Sequence, residues 1–222
     1  MKIIYEDNHL LVVEKPVNVP VQADDSLDED FLSQLKEYLK VTYNKPGNVY
    51  LGLVHRLDRP VGGVMVFAKT SKAASRLSRQ VSERTFHKTY LAVVEGTPDK
   101  QSDTLKDYLV KDHSTNTVSV TDEAHGKLAV LDYEVLDSKE GLSLLKIDLH
   151  TGRSHQIRVQ LSSRGYPIWG DQRYNTNAHP GQQIALWAYK LSFKHPVTTE
   201  ELTFTCLPSD TYPYNLFKGV IK

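Results

Sequence analysis

Three short stretches of this 222-residue chain concentrate side chains able to do chemistry. The first, Val54-His55-Arg56-Leu57-Asp58-Arg59-Pro60-Val61-Gly62-Gly63, places one carboxylate between two arginines at the head of a Pro/Gly-rich turn. Neighbouring guanidinium groups favour the ionised carboxylate, and a carboxylate ionised at neutral pH suits a nucleophile or a base better than an acid. The two glycines can adopt positive φ and let a ligand approach the backbone. On these residues alone, Asp58 as a turn residue in a surface ion pair is the better reading.

The second stretch, Leu149-His150-Thr151-Gly152-Arg153-Ser154-His155-Gln156-Ile157-Arg158-Val159, leads into a helix that Thr151 or Ser154 could cap. Arg153, His155, Gln156 and Arg158 crowd cationic and hydrogen-bonding groups near that helix start, which favours a phosphate or a carboxylate. A histidine such as His155, taken by itself, is more often structural than catalytic. The third stretch, Phe86-His87-Lys88-Thr89-Tyr90, enters a strand. Its tyrosine is either a half-buried strand residue or a ring on which a base could stack.

The elements that must position these groups follow from periodicity. Ile3–Tyr5 and Leu10–Glu14 predict an opening hairpin around Glu6-Asp7-Asn8. Phe31, Leu32, Leu35 and Leu39 recur at helical spacing within Asp28–Lys40. Val64–Ala68 predicts a short apolar strand, followed by a helix from Lys72 to about Arg84 with Ser71 as its cap. On that helix Ala74, Leu77 and Val81 should face the core while Lys72, Arg76 and Arg79 point outward. Lys88–Glu95, Thr104–Val110, Lys127–Leu136, Leu142–Leu149, Ile184–Phe193 and Glu201–Cys206 predict further strands. Many strands with three or four helices and no βαβ alternation indicate an α+β fold around a mainly antiparallel or mixed β-sheet with a few flanking helices. Neither a repeat nor a composition break divides the chain, so one continuous domain over residues 1–222 is expected.

Formal charge is +0, yet Lys69–Tyr90 holds six Lys/Arg against Glu83, a local balance of +5. Asp24, Asp25, Asp28, Glu29 and Asp30 form an opposing acidic run. A neutral chain polarised in this way can still present one basic face. A single cysteine, Cys206, excludes an internal disulfide, and no Cys/His grouping has the spacing of a zinc site, so a reducing cytoplasm and no metal are expected. The start turns acidic before any long apolar run, so neither a signal peptide nor a membrane span is expected.

In this order the three stretches resemble the RluA family of pseudouridine synthases. His55-Arg56-Leu57-Asp58 with Gly63 and Ala68-Lys69 is similar to that family's catalytic motif, Lys88-Thr89-Tyr90 to its tyrosine motif, and Thr151-Gly152-Arg153-Ser154-His155-Gln156-Ile157-Arg158 to its third motif. Gly165-Tyr166-Pro167-Ile168-Trp169-Gly170-Asp171 and Leu186-Trp187-Ala188 resemble its downstream signatures, so the likeness runs from about Ile4 to about Leu207. Three departures stand out: Pro60-Val61-Gly62 where Asp-Thr-Ser is common, Trp187 where histidine is common, and Asn18 where glycine is usual.

The resemblance implies a pseudouridine synthase catalytic fold without a separate N-terminal RNA-binding (S4-like) domain. It also implies isomerisation of uridine in ribosomal or transfer RNA, with no cofactor and no metal. Asp58 would be the essential carboxylate, attacking the sugar or acting as base. Arg158 would pair with Asp58, Tyr90 would stack on the base, Arg56 would fill the space left by the flipped uridine, and Leu186 would line the pocket. His55, Leu57, Arg153, His155 and Gln156 would complete the substrate-binding set. The expected partner is an RNA stem-loop, with no membrane and no obligatory protein partner, and the chain is expected to be a monomer. Two other classes compete. One is a catalytically silent RNA-binding or assembly factor of the same fold, which would have lost Asp58, Tyr90 or Arg158. The other is a hydrolase built on Asp58 and His155, which leaves Lys88-Thr89-Tyr90 and Gly170-Asp171 unexplained.

Overall fold

The apolar runs of the chain divide between two compact units, as seen in a computed structural model that describes residues 1–24 and 27–221. The first unit comprises Met1–His87 and Lys190–Cys206, and the second Lys88–Tyr189 and Leu207–Lys222.

In the first unit, β1 (Lys2–Glu6) and β2 (Leu10–Lys15) form the opening hairpin, and β2 pairs antiparallel with β4 (Gly62–Ala68) from Leu10↔Ala68 to Lys15↔Gly63. Leu10–Val13 and Val64–Ala68 are fully buried, the continuous apolar pattern of strands covered on both faces. The two-residue β3 (Gly52–Leu53) joins the edge of β4. Helix α1 (Phe31–Thr42) buries Phe31, Leu35 and Leu39, with Phe31 edge-on to Phe67 at 6.1 Å. Its cap is Asp30, whose carboxylate accepts the Ser33 N–H at 2.9 Å, so the helix begins three residues after the expected Asp28. Asp25 of the acidic run lies outside the described residues. Helix α2 (Ser71–Ser82) buries Ala73 and Leu77 and leaves Lys72, Arg76 and Arg79 exposed on one stripe. Thr70, one residue ahead of the expected Ser71, is its cap and accepts the Ala73 N–H at 3.2 Å.

The second unit is built on β5 (His87–Glu95), β6 (Ser102–Asp112), β7 (Thr117–Thr121), β8 (Lys127–Lys139) and β9 (Leu142–Leu149). These pair antiparallel in the order β5-β9-β8-β6-β7. Helix α3 (Gln156–Ser162) buries Ile157, Val159 and Leu161, and Val159 joins Leu109, Val118 and Ala129 in one apolar cluster. Strand β10 (Leu186–Lys194) contributes its first residues to this unit and its last to the other, where it pairs with β11 (Glu201–Thr205). A 3-10 turn at Tyr214–Phe217 closes the chain. Among the described residues, three α-helices on a β core make the expected α+β class. The short β3 and β7 are not among the strands expected from the sequence.

Candidate active site

In the first unit, the loop between β3 and β4 carries His55 to Val61, and its shape depends on a buried charge. Lys15 is fully buried at the end of β2, where its Nζ donates to the carbonyls of Pro16 (2.9 Å), Arg59 (3.0 Å) and Val61 (2.8 Å). The Val61 N–H donates to the Asp58 carbonyl at 2.9 Å, closing the turn that presents the Asp58 side chain. Burial drives the Lys15 pKa down to about 8, with the Asp58 charge working to raise it and Arg59 to lower it. Gly63, opposite Lys15 in the ladder, adopts φ +123°, a conformation that excludes a side chain; of the two glycines expected to do so, only Gly63 does. Asn18 takes the left-handed conformation (φ +63°) where the related motif carries glycine, and asparagine tolerates that region better than most residues.

The two arginines beside Asp58 behave differently from each other. Arg56 is exposed. Arg59 turns to the acidic run: its Nε donates to the Asn18 carbonyl at 3.2 Å, Nη1 lies 3.8 Å from Asp24, and Nη2 pairs with Asp28. Leu57 is buried, and so is His55, whose Nε2 accepts the Val66 N–H at 3.1 Å while its ring packs 5.4 Å from Phe86.

In the second unit, the third motif builds a dense polar core around α3. Arg158 is buried and makes a two-pronged pair with Asp171, Nε to Oδ2 at 2.8 Å and Nη2 to Oδ1 at 2.7 Å. Its guanidinium also lies 5.1 Å over the Tyr174 ring. Asp171 follows Gly170, whose φ is +73° and whose place a Cβ could not share with the Gln183 carbonyl at 2.6 Å. The expected caps of α3 are corrected by the structure. The residue before the helix is His155 in the left-handed conformation (φ +51°), with no side-chain cap. Thr151 and Gln156 are instead committed to β8: Thr151 Oγ1 accepts the Val130 N–H at 2.8 Å, and Gln156 Nε2 donates to the Val130 carbonyl at 3.1 Å. Gln156 Oε1 accepts from Thr151 Oγ1 (2.8 Å) and from the Arg153 N–H (3.1 Å). The His155 ring nitrogen Nδ1 lies 2.7 Å from the Tyr174 hydroxyl, whose pKa is raised by burial.

Of the groups read as an anion site, Gln156 and Arg158 are thus engaged inside the protein, and Arg153 remains largely exposed with its Nε on the Leu128 carbonyl at 2.9 Å. Tyr90 is buried in β5 opposite Ile147, and Leu186 is buried at the start of β10. Lys15, Asp171 and Tyr174 were missed as site residues. Gly170-Asp171 stood in a recognised piece of sequence and Lys15 lies three residues before the noted Asn18, whereas Tyr174 carried no signal of its own. Among the described residues no cluster of His, Cys, Asp and Glu has the makings of a metal site.

Residues 9–163 match the profile of the RNA pseudouridylate synthase family. The chain is 34% identical over 203 residues to an uncharacterized RNA pseudouridine synthase of Bacillus subtilis, covering 90% of this chain and 66% of that one. It is 31% identical over 222 residues to the ribosomal large subunit pseudouridine synthase D of Zymomonas mobilis, covering 95% of this chain and 70% of that one. The chain therefore spans about two thirds of the length of these relatives. The fold is that of human RNA pseudouridylate synthase domain containing 4, with a TM-score of 0.82 over 98% of this chain and 92% of that one at 23% identity. Since the matched profile covers well over half of the chain and both relatives exceed 30% identity, this protein belongs to the RNA pseudouridylate synthase family, whose members are isomerases acting on uridine in RNA.

Proposed function

We propose that this chain isomerises one or a few uridines of a structured RNA, ribosomal or transfer, to pseudouridine, with Asp58 as the reacting carboxylate. The observation that carries this reading is the Asp58 turn, held by a buried ammonium on the carbonyls of Arg59 and Val61 in a chain that belongs to the synthase family. Catalysis requires a positioned group, and a turn tied from beneath keeps its carboxylate in place.

The reaction breaks the N1–C1′ bond, rotates the uracil, forms a C5–C1′ bond and returns the C5 proton to N1. It needs a carboxylate, a surface on which the freed base can turn, and exclusion of water. Asp58 serves by attacking C1′ or by acting as base. Arg158, already oriented by Asp171, supplies a positive charge to pair with the carboxylate. Tyr90 stacks on the base and Leu186 lines the apolar side. Exposed Arg56 enters the space left in the RNA, where flipping costs a few kcal/mol, less in a loop than in a duplex. Arg153 and His155 meet the backbone. His55, Leu57 and Gln156 act from behind, through the loop and the helix that they hold. The chain acts as one catalytic domain over residues 1–222, as a monomer without an obligatory protein partner, in the cytoplasm. Among the described residues no helix is long and apolar enough to cross a membrane.

The test is pseudouridine mapping by carbodiimide chemistry on RNA from cells lacking the gene, rescued with wild type or with Asp58→Asn. One or a few uridines should lose modification and regain it only with wild type. Equal restoration by both proteins would remove Asp58 from the chemistry, and no change at any uridine would favour a silent RNA-binding factor.

A further inference from the structure

We propose that Lys88 is an anchor for a backbone phosphate of the target nucleotide, seated beside Gly152 on the face of β5 that carries Tyr90. This inference rests on the synthase reading and adds a substrate-binding group to it.

Alternation along β5 puts Lys88 and Tyr90 on one face and Thr89 on the other. The register places Leu149 opposite Lys88 and Leu131 beyond it, both apolar. The nearest carboxylate on the neighbouring strand, Asp148, is opposite Thr89 and accepts its hydroxyl at 2.7 Å, so it belongs to the other face. Among the described residues, no hydrogen-bond acceptor and no acid reaches the Lys88 ammonium. The ammonium instead lies against the backbone of the third motif: a Cβ built at Gly152 would stand 3.1 Å from Nζ. Glycine at that position gives the cation room next to the 151–155 segment, with the exposed Arg153 one residue on.

A partly buried ammonium without a counter-ion loses hydration and gains nothing from the protein in return. Burial accordingly holds the Lys88 pKa below that of an ordinary lysine. The missing partner must be an anion that arrives with the substrate, and in RNA the only anion is the phosphodiester. Residues two apart on one face of a strand are separated by roughly 7 Å, a distance that one nucleotide spans between its base and its phosphate. A uridine held at Tyr90 thus brings a phosphate within reach of Lys88.

The experiment compares wild type, Lys88→Met and Lys88→Arg on a stem-loop that carries the mapped uridine, with normal linkages or with a neutral methylphosphonate at the phosphate 5′ or 3′ of that uridine. Wild type should show KM raised roughly tenfold or more on one of the two neutral substrates, with kcat within about twofold. Lys88→Met should show the same rise on normal RNA and none further on the neutral one, and Lys88→Arg should keep most of the affinity. Unchanged KM in Lys88→Met, or penalties that multiply instead of overlapping, overturns the proposal. If Lys88→Met fails to fold, the wild-type comparison decides alone, because equal KM on all three substrates overturns it. A wild-type enzyme that forms no pseudouridine in any of these RNAs sinks the synthase reading and this proposal with it.

Discussion

Lys15 in the first unit and Arg158 in the second are buried charges that each hold their own segment in shape. With its pKa at about 8 against 10.5 in a free chain, Lys15 is charged at neutral pH and loses its proton just above it. Loss of that proton removes one of the three donors that hold the Asp58 turn, so kcat/KM should fall as pH rises through about 8. Lys15→Met should flatten that alkaline limb and lower the plateau roughly tenfold, as expected for misplacing a reacting group; a limb that survives in the variant would belong to another residue. Stability should move the other way. Between about 8 and 10.5 the unfolded chain binds more protons at this site than the folded one, so the Lys15 contribution to stability rises with pH across that window, read from urea unfolding. Asp171→Ala leaves the Arg158 guanidinium buried beside an empty place and should cost about 3–5 kcal/mol in the same assay. A loss under about 1 kcal/mol would mean that water or another carboxylate takes over the pair.

At the scale of elements, the sequence read the cores of the helices better than their ends. The apolar spacing of Phe31, Leu35 and Leu39 and of Ala74, Leu77 and Val81 places α1 and α2 within a few residues of where they lie, although on α2 the buried residues are Ala73 and Leu77 while Ala74 and Val81 are only half-buried. The cap of α2 shifted by one residue because two neighbouring hydroxyls, those of Thr70 and Ser71, can serve as the acceptor. Thr70→Ala should therefore cost about 1 kcal/mol and Ser71→Ala only a few tenths, compared by thermal unfolding. Helix α3 was harder to read, since the Thr151 hydroxyl that looked like a cap accepts the N–H of Val130 in β8, a partner more than twenty residues away in sequence. His155 then turns the chain in a left-handed conformation that no local pattern announces.

For the whole molecule, a formal charge of +0 hides a sorted surface. Part of the acidic run is used internally, by Arg59 and by the start of α1. On α2, Arg76 is steadied by the Pro196 carbonyl at 2.6 Å, while Lys72 and Arg79 meet no acid among the described residues. If this stripe meets RNA phosphates, Lys72→Gln with Arg79→Gln should weaken binding at low salt and reduce the slope of log K against log salt by about 2, at up to ~0.9 per contact. The slope is obtained by titrating the stem-loop at several salt concentrations, and an unchanged slope removes α2 from the interface. Synthase activity on saturating RNA should survive the double change, since neither residue is assigned to the chemistry.

Residue types in order along the chain were enough for the class of fold and for the family, and they proposed Asp58, Tyr90 and Arg158 as the groups to test. They are readable because chemistry demands particular side chains at particular spacings, and because burial on one face imposes a period. Tertiary structure alone decided which charges are shared and with whom. Arg59 goes to Asp24 and Asp28, Arg158 goes to Asp171, and Lys15 lies beneath the Asp58 turn. Such pairings depend on distances between residues far apart in sequence, set by strand register and by the cost of leaving a buried charge without a partner.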